Sequence, residues 1–75
     1  MKKLNYKEFV ERFKQPVVFF VNPSKQIAFK VDTKNSKVFC KGHDCKETQI
    51  SLNDVDYLQG MLFNTILTAK EYDNY

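Results

Sequence analysis

The sequence predicts a small α+β domain of order α-β-β-β-α, in which a three-stranded antiparallel meander carries both helices on one face. Two observations lead to this prediction. A helix-start pattern occurs near each end of the chain, and three short runs rich in β-branched and aromatic residues lie between the two patterns. A chain of 75 residues suffices for one domain, which we place at residues 1–75 with a frayed tail over residues 71–75.

The first helix is predicted over Tyr6–Lys14. Asn5 is a suitable N-cap, and Glu8, three residues later, can return a carboxylate to the cap, which together make a capping box. Pro16 prevents the helix from continuing. One apolar face follows from residues at helical spacing: Tyr6, Phe9, Val10 and Phe13.

Three strands follow, over Val17–Val21, Gln26–Asp32 and Lys37–Lys41. The segments Asn22–Lys25 and Thr33–Ser36 between them have the composition of turns. The middle strand alternates, and one set of its side chains should face the helices: Ile27, Phe29 and Val31. The short connections predict antiparallel pairing of neighbours.

The second helix is predicted over Leu52–Lys70, with Ser51 as its N-cap and Asp54 as the returning carboxylate. Residues 46–50 can add a short extended segment before it. The predicted core stripe of this helix is broad: Leu52, Val55, Leu58, Leu62, Phe63, Ile66, Leu67 and Ala69.

Apolar residues remain on surfaces that this arrangement leaves uncovered. The apolar run of the first strand must turn part of its side chains away from the helices, and which part it turns is left open. On the second helix, Tyr57 and Met61 lie opposite the predicted core stripe, and Tyr72 lies close to the same line. The predicted protein interface has six members: Val18, Phe20, Phe39, Tyr57, Met61 and Tyr72. The alternative is that lysine stems and the segment Cys40–Ile50 cover the open sheet face.

A second candidate surface is basic. The net charge is +3, and the densest run of positive charge lies in the strand region: Lys25, Lys30, Lys34, Lys37, Lys41 and Lys46. Together with exposed aromatics these lysines could bind single-stranded nucleic acid. A single arginine argues against sequence-specific reading of DNA. The other interpretation of the lysines is that they protect a strand edge from aggregation.

The sequence predicts no enzyme, no cofactor and no metal. It has one histidine and two glycines, so it lacks a phosphate-binding loop. Zinc binding by Cys40, His43 and Cys45 is kept as an alternative, although a second ligand pair is missing. Reduced thiols are expected in the cytoplasm, and a disulfide between the two cysteines is a further alternative.

The α-β-β-β-α order resembles that of the double-stranded-RNA-binding domain over nearly the whole chain. The resemblance is in element order and not in motif. The turn Asn22–Lys25 has no histidine, and the segment Ser51–Asp56, which would open the second helix, is acidic where that family is rich in lysine. No RNA-contacting residue is therefore carried over.

The sequence thus favours a small non-catalytic protein-binding module. We expect an inhibitor or adaptor of bacterial or mobile-element (phage-like) origin, located in the cytoplasm because no apolar run approaches the roughly 18–20 residues that span a bilayer. Two alternatives stay open, a nucleic-acid-binding domain that uses the lysines and a structural homodimer.

Overall fold

The centre of the fold is an antiparallel sheet with helices on both of its faces. The computed structural model describes residues 1–42 and 46–75, and within them six strands form one sheet in the order β1-β6-β2-β3-β4-β5. The elements in chain order are β1 (Lys2–Lys3), α1 (Tyr6–Arg12), β2 (Val17–Asn22), β3 (Ile27–Asp32), β4 (Lys37–Gly42), β5 (Thr48–Ile50), α2 (Val55–Gly60), a 3₁₀ helix (Met61–Phe63), β6 (Thr65–Ile66) and α3 (Ala69–Asp73).

The protein is therefore a small α+β domain with an antiparallel sheet and, in the part of the chain that the structure describes, three α-helices. The predicted meander exists as β2-β3-β4 and extends to β5, but the sheet as a whole is not a simple meander. The late strand β6 lies between the first strand, β1, and β2. The order expected from the double-stranded-RNA-binding domain is consequently wrong.

Helix α1 begins where the sequence predicts. The amide of Glu8 donates to Oδ1 of Asn5 at 2.8 Å, and the amide of Asn5 donates back to Oε1 of Glu8 at 3.4 Å, which confirms the capping box. The helix ends at Arg12, two residues before the predicted end at Lys14. Its buried side chain is Phe9, whereas the predicted core residues Tyr6 and Val10 are exposed. So short a helix turns only one row of side chains to the sheet.

The register of the central hairpins sorts side chains onto two faces. Val18 pairs with Val31, and Phe20 with Phe29, so these residues share the face that α1 and α2 cover, which we call the inner face. Phe19 pairs with Lys30 on the opposite, outer face. The inner core contains nine buried residues: Leu4, Phe9, Val18, Phe20, Phe29, Val31, Val38, Tyr57 and Ile66.

The predicted single helix over Leu52–Lys70 is wrong. In its place lie α2, the 3₁₀ helix, β6 and α3. Asn64 adopts a left-handed conformation with φ of 52°, which ends helical geometry, and Ile66 then pairs with Phe20 of β2. The N-cap of α2 is Asp54, whose carboxylate accepts from the amide of Tyr57 at 3.1 Å, and not the predicted Ser51.

The predicted buried face of this segment is also wrong, because α2 presents its other side to the sheet. A Cβ atom at Gly60 would lie 3.1 Å from Cβ of Asn22 and 3.2 Å from a ring carbon of Phe29, so the helix backbone sits directly on the sheet there. The buried Asn22 also donates to the carbonyl of Asp56 at 3.1 Å. Val55 and Leu62, predicted as core, are 75% and 79% exposed.

The C-terminal segment, predicted as a frayed tail, is the ordered helix α3. Thr68 and Glu71 form a second capping box. Tyr72 is 2% exposed and packs on the outer face with Val21, Ala28 and Leu67, where these four form a second buried core. The expectation that all helices lie on one face is therefore wrong, because α3 covers the face left open in the prediction.

Candidate functional site

The outer face does not offer the aromatic platform that the sequence suggested. The ring of Phe19 contacts that of Tyr72, with 5.0 Å between centroids. Phe39 is half-buried beneath the ammonium of Lys30, which lies 4.9 Å from its ring centroid. The flat faces that would stack on nucleobases are thus occupied by side chains of the same chain.

A polar network closes this face. The hydroxyl of Tyr72 donates to Oε2 of Glu47 at 2.7 Å, and the ammonium of Lys30 lies 3.1 Å from Oε1 of the same carboxylate. The hydrogen bond from Tyr72, assisted by Lys30, lowers the pKa of Glu47 below its ordinary value of 4.5. Burial, together with the hydrogen bond to Glu47, raises the pKa of Tyr72. The network joins α3 to the segment that precedes β5.

The predicted basic stretch does not form one surface. The ammonium of Lys41 donates to the backbone carbonyls of Tyr72 and Asp73 at 3.0 and 2.9 Å, so it stabilises the C-terminal end of α3. Lys25 and Lys34 lie in the turns at opposite ends of β3. The remaining predicted lysines are Lys30, which pairs with Glu47, and the exposed Lys37 and Lys46.

The exposure on which the predicted protein interface depended is wrong for four of its six residues. Val18 and Phe20 belong to the inner core, Tyr57 joins them from α2, and Tyr72 fills the outer core. Phe39 is half-buried. The physical reason is the same for the two helical tyrosines: the segments that carry them turn their aromatic side to the sheet.

Met61, the sixth residue of that prediction, is half-buried against the inner core. It follows Gly60 at the close contact with the sheet, which directs this side of the segment inward. It therefore offers little area to a partner.

The alternative zinc site cannot be placed as a whole. Cys40 lies in β4, half-buried against the inner core, while His43 and Cys45 lie outside the described residues. Over residues 1–42 and 46–75, no three His, Cys, Asp or Glu side chains are close enough together to hold a metal ion.

Four of the eight exposed large apolar residues among those that the structure describes lie in one segment, which comprises the turn before α2, α2 and the 3₁₀ helix. We call these four residues the apolar ridge, and its members are Leu52, Val55, Leu58 and Leu62. Their spacing of three or four residues places the last three along one side of the helical segment. Contiguous exposed apolar residues of this kind mark interaction surfaces more often than scattered ones do.

The segment that carries the ridge is acidic. Asp54 and Asp56 flank Val55 in the sequence and are half-buried, and residues 51–69 contain no lysine or arginine in a chain whose net charge is +3. Phosphate groups would be repelled there. The ridge is therefore an apolar and acidic surface on a basic protein.

Sequence reasoning missed this surface because it assigned the same residues to the core. The available signal was Gly60, which lowers helix propensity and is placed where a helix backbone approaches its support closely. The side of the helix that contains Gly60 is the buried one, so the opposite stripe must be exposed.

Comparisons with known proteins add no family. No protein-family model matches the chain, and searches of curated proteins and of solved structures return no match. In residues 1–42 and 46–75 there is no helix of the length and apolarity that crossing a membrane requires.

Proposed function

We propose that this protein is a non-catalytic protein-binding module that uses the apolar ridge as its contact surface. The observation that carries the proposal is the exposure of Val55 and Leu62, at 75% and 79%, on a segment whose opposite side is fully engaged with the sheet. Burial of such a side chain in an interface contributes about 1.5–3 kcal/mol. The cytoplasmic setting and the role as a bacterial or phage-like inhibitor or adaptor belong to this proposal.

Charge selects the kind of partner. Asp54 and Asp56 flank Val55 in the sequence, so the complementary surface is apolar and edged with lysine or arginine. A second copy of this chain has no lysine or arginine in residues 51–69, so its own ridge segment would offer no complementary charge, which disfavours the homodimer. The occupant we propose is therefore a different protein with an apolar, basic-edged surface.

The test compares matched variants in capture from a lysate of the native host that is split into nuclease-treated and untreated halves. A ridge variant, Val55→Ser with Leu62→Ser, is set against a control that removes two exposed apolar side chains elsewhere, Tyr6→Ser with Val10→Ser. Support is a protein that the native chain and the control retain and the ridge variant loses. Asp56→Asn should weaken the same capture at low salt.

Three outcomes would overturn the proposal. Capture that is equally strong with the ridge variant and the control would place the contact elsewhere. Sedimentation that shows self-association of the native chain, abolished by the ridge substitutions, would assign the ridge to a homodimer. Capture that disappears only on nuclease treatment would favour the lysine-bearing strands and nucleic acid.

A further inference from the structure

A cleft of about 230 Å³ opens on a different part of the molecule, where the end of α1 meets the start of β2 and the segment between β6 and α3. Most of its lining residues are apolar, among them Val17, Ile66, Leu67 and Ala69, but polar atoms make up the larger part of the surface that they expose in it. Arg12 also lines the cleft, as does Gln15. None of the ridge residues lines this cleft, so binding at the cleft does not require the ridge.

The cleft coincides with an unpaired stretch of the β2 edge. The amide of Leu67 donates to the carbonyl of Phe19 at 2.9 Å, and β6 pairs with β2 only at Phe20 and Ile66. Alternate residues of a strand direct their backbone groups to the same side, so Val17 points its N–H and carbonyl to the same edge as Phe19. Neither these two groups nor the N–H of Phe19 has a backbone partner among residues 1–42 and 46–75.

Arg12 places a positive charge at the cleft. It is the single arginine of the chain, it is half-buried, and its guanidinium forms no ion pair or hydrogen bond with any residue that the structure describes. The neighbouring acid Glu11 pairs with Lys14 instead, at 3.1 Å. A guanidinium that lines a cleft and has no carboxylate partner of its own suits the carboxylate of a ligand, to which it can donate two parallel hydrogen bonds.

We propose that the cleft binds the free C-terminal end of a peptide, which adds to β2 as a short antiparallel strand. The ligand would continue the line of β6 beyond Leu67, with backbone hydrogen bonds to Val17 and Phe19. An antiparallel strand at this edge runs toward the start of β2. That is the end next to α1, so the ligand brings its terminal carboxylate to Arg12.

The dimensions favour a chain end over other occupants. The volume is below the roughly 300–1,000 Å³ of sites for small organic ligands and cofactors. The open edge covers only the stretch from Val17 to Phe19, because Leu67 closes it at one side. A short open edge with a cation at its far end accommodates the last residues of a chain better than a strand that passes through.

The experiment is a titration followed by amide resonances of the ¹⁵N-labelled protein. Three probes are compared: acetyl-glycyl-valyl-leucine with a free carboxylate, the same peptide with a terminal amide, and an amide-terminated acetyl-glycyl-valyl-glutamate. We expect saturable shifts at Val17 and Phe19 with the first probe. Binding of both amide-terminated peptides should be weaker by about tenfold or more, because a charge-assisted hydrogen bond is lost or displaced.

A matched pair of variants assigns the carboxylate to its partner. Arg12→Gln should weaken binding of the free acid by about tenfold or more and leave the amide unchanged. Lys14→Gln removes the same charge two residues away, from a side chain paired with Glu11, and should change the affinity by less than about twofold. The comparison of acid and amide on the native chain needs no variant and stands even where Arg12→Gln disturbs folding.

Several results would overturn the inference. They are equal binding of the free acid and its amide, equal effects of Arg12→Gln and Lys14→Gln, and no saturable shift up to about 10 mM peptide. Binding of the glutamate peptide as strong as that of the free acid would also overturn it, since the ligand would then be an acidic side chain and not a chain end.

Discussion

Replacement of Tyr72 by Phe isolates one hydrogen bond of the outer face. The hydroxyl donates to Glu47 at 2.7 Å, while the ring is 2% exposed and keeps its packing in the variant. A hydrogen bond to a charged group contributes about 1.5–3 kcal/mol when the charge is well shielded. Glu47 is exposed, so water can replace the lost donor, and we expect a loss of about 1 kcal/mol. In a domain of this size that lowers Tm by about 4–8 °C.

The dependence on pH gives a second readout. The pKa of Glu47 is below 4.5 in the folded protein, so the contribution of this carboxylate is present above 4.5 and is lost as the pH falls through the folded pKa. The variant should therefore differ from the native chain most at pH 7 and progressively less below pH 4.5. The pKa of Tyr72 is raised above 10 in the folded protein. The native protein should therefore lose stability as the pH rises above 10, whereas the variant, which has no hydroxyl at this position, should not show this loss.

Urea unfolding at several pH values measures both effects, and a double-mutant cycle with Glu47→Gln extracts the pairwise term. Tyr72→Ala, which also removes the ring, should cost about 3–5 kcal/mol and serves as the packing control. The reasoning would be refuted if Tyr72→Phe left both stability and its pH dependence unchanged, or if the cycle returned no coupling between Tyr72 and Glu47.

Three further predictions concern the second half of the chain. Gly60→Ala should lower the free energy of unfolding by up to about 2 kcal/mol, because contacts of 3.1–3.4 Å outweigh the gain of about 1 kcal/mol in helix propensity; chemical denaturation checks the sign. Asn64→Gly should be neutral or should stabilise the fold by about 1 kcal/mol, because glycine tolerates φ of 52° and the substitution removes a buried Oδ1 that has no partner among the described residues. Asn64→Val should destabilise the fold, because a β-branched residue does not tolerate that φ. Calorimetry compares the two variants. Val55→Ser and Leu62→Ser should each change stability by less than about 0.5 kcal/mol, but Tyr57→Ser by several kcal/mol; equal losses at all three positions would show that the ridge is buried.

The first half of the fold could be predicted because its signals are local. The capping box at Asn5 and Glu8 fixes the start of α1, and Pro16 limits its length. The alternation of β3 and the two turns set the hairpins, whose observed ends lie within one residue of the predicted ones. Each of these signals is decided by residues only a few positions apart.

The second half could not be predicted from periodicity, because the segment from Leu52 onward satisfies a helical pattern on two sides. The stripe that contains Val55 and Leu62 is the more apolar, yet the close contact of Gly60 with the sheet selects the other. That choice depends on shape complementarity across the sheet, which sequence spacing does not contain. A usable signal was overlooked farther on: Thr68 and Glu71 repeat the capping-box spacing and predict a new helix where α3 begins.

The exposure of the more apolar side of α2 is the reason to look for a partner at the ridge. The inner core is filled by Phe20, Phe29 and Tyr57 without any contribution from Val55 or Leu62, so folding imposes no requirement for apolar side chains at the two exposed positions. Serine or lysine there would serve the fold equally well and would improve solubility. Large apolar residues at such positions gain free energy only when another surface removes them from water. Under the proposed function, the acidic residues of this segment favour a partner surface with basic edges.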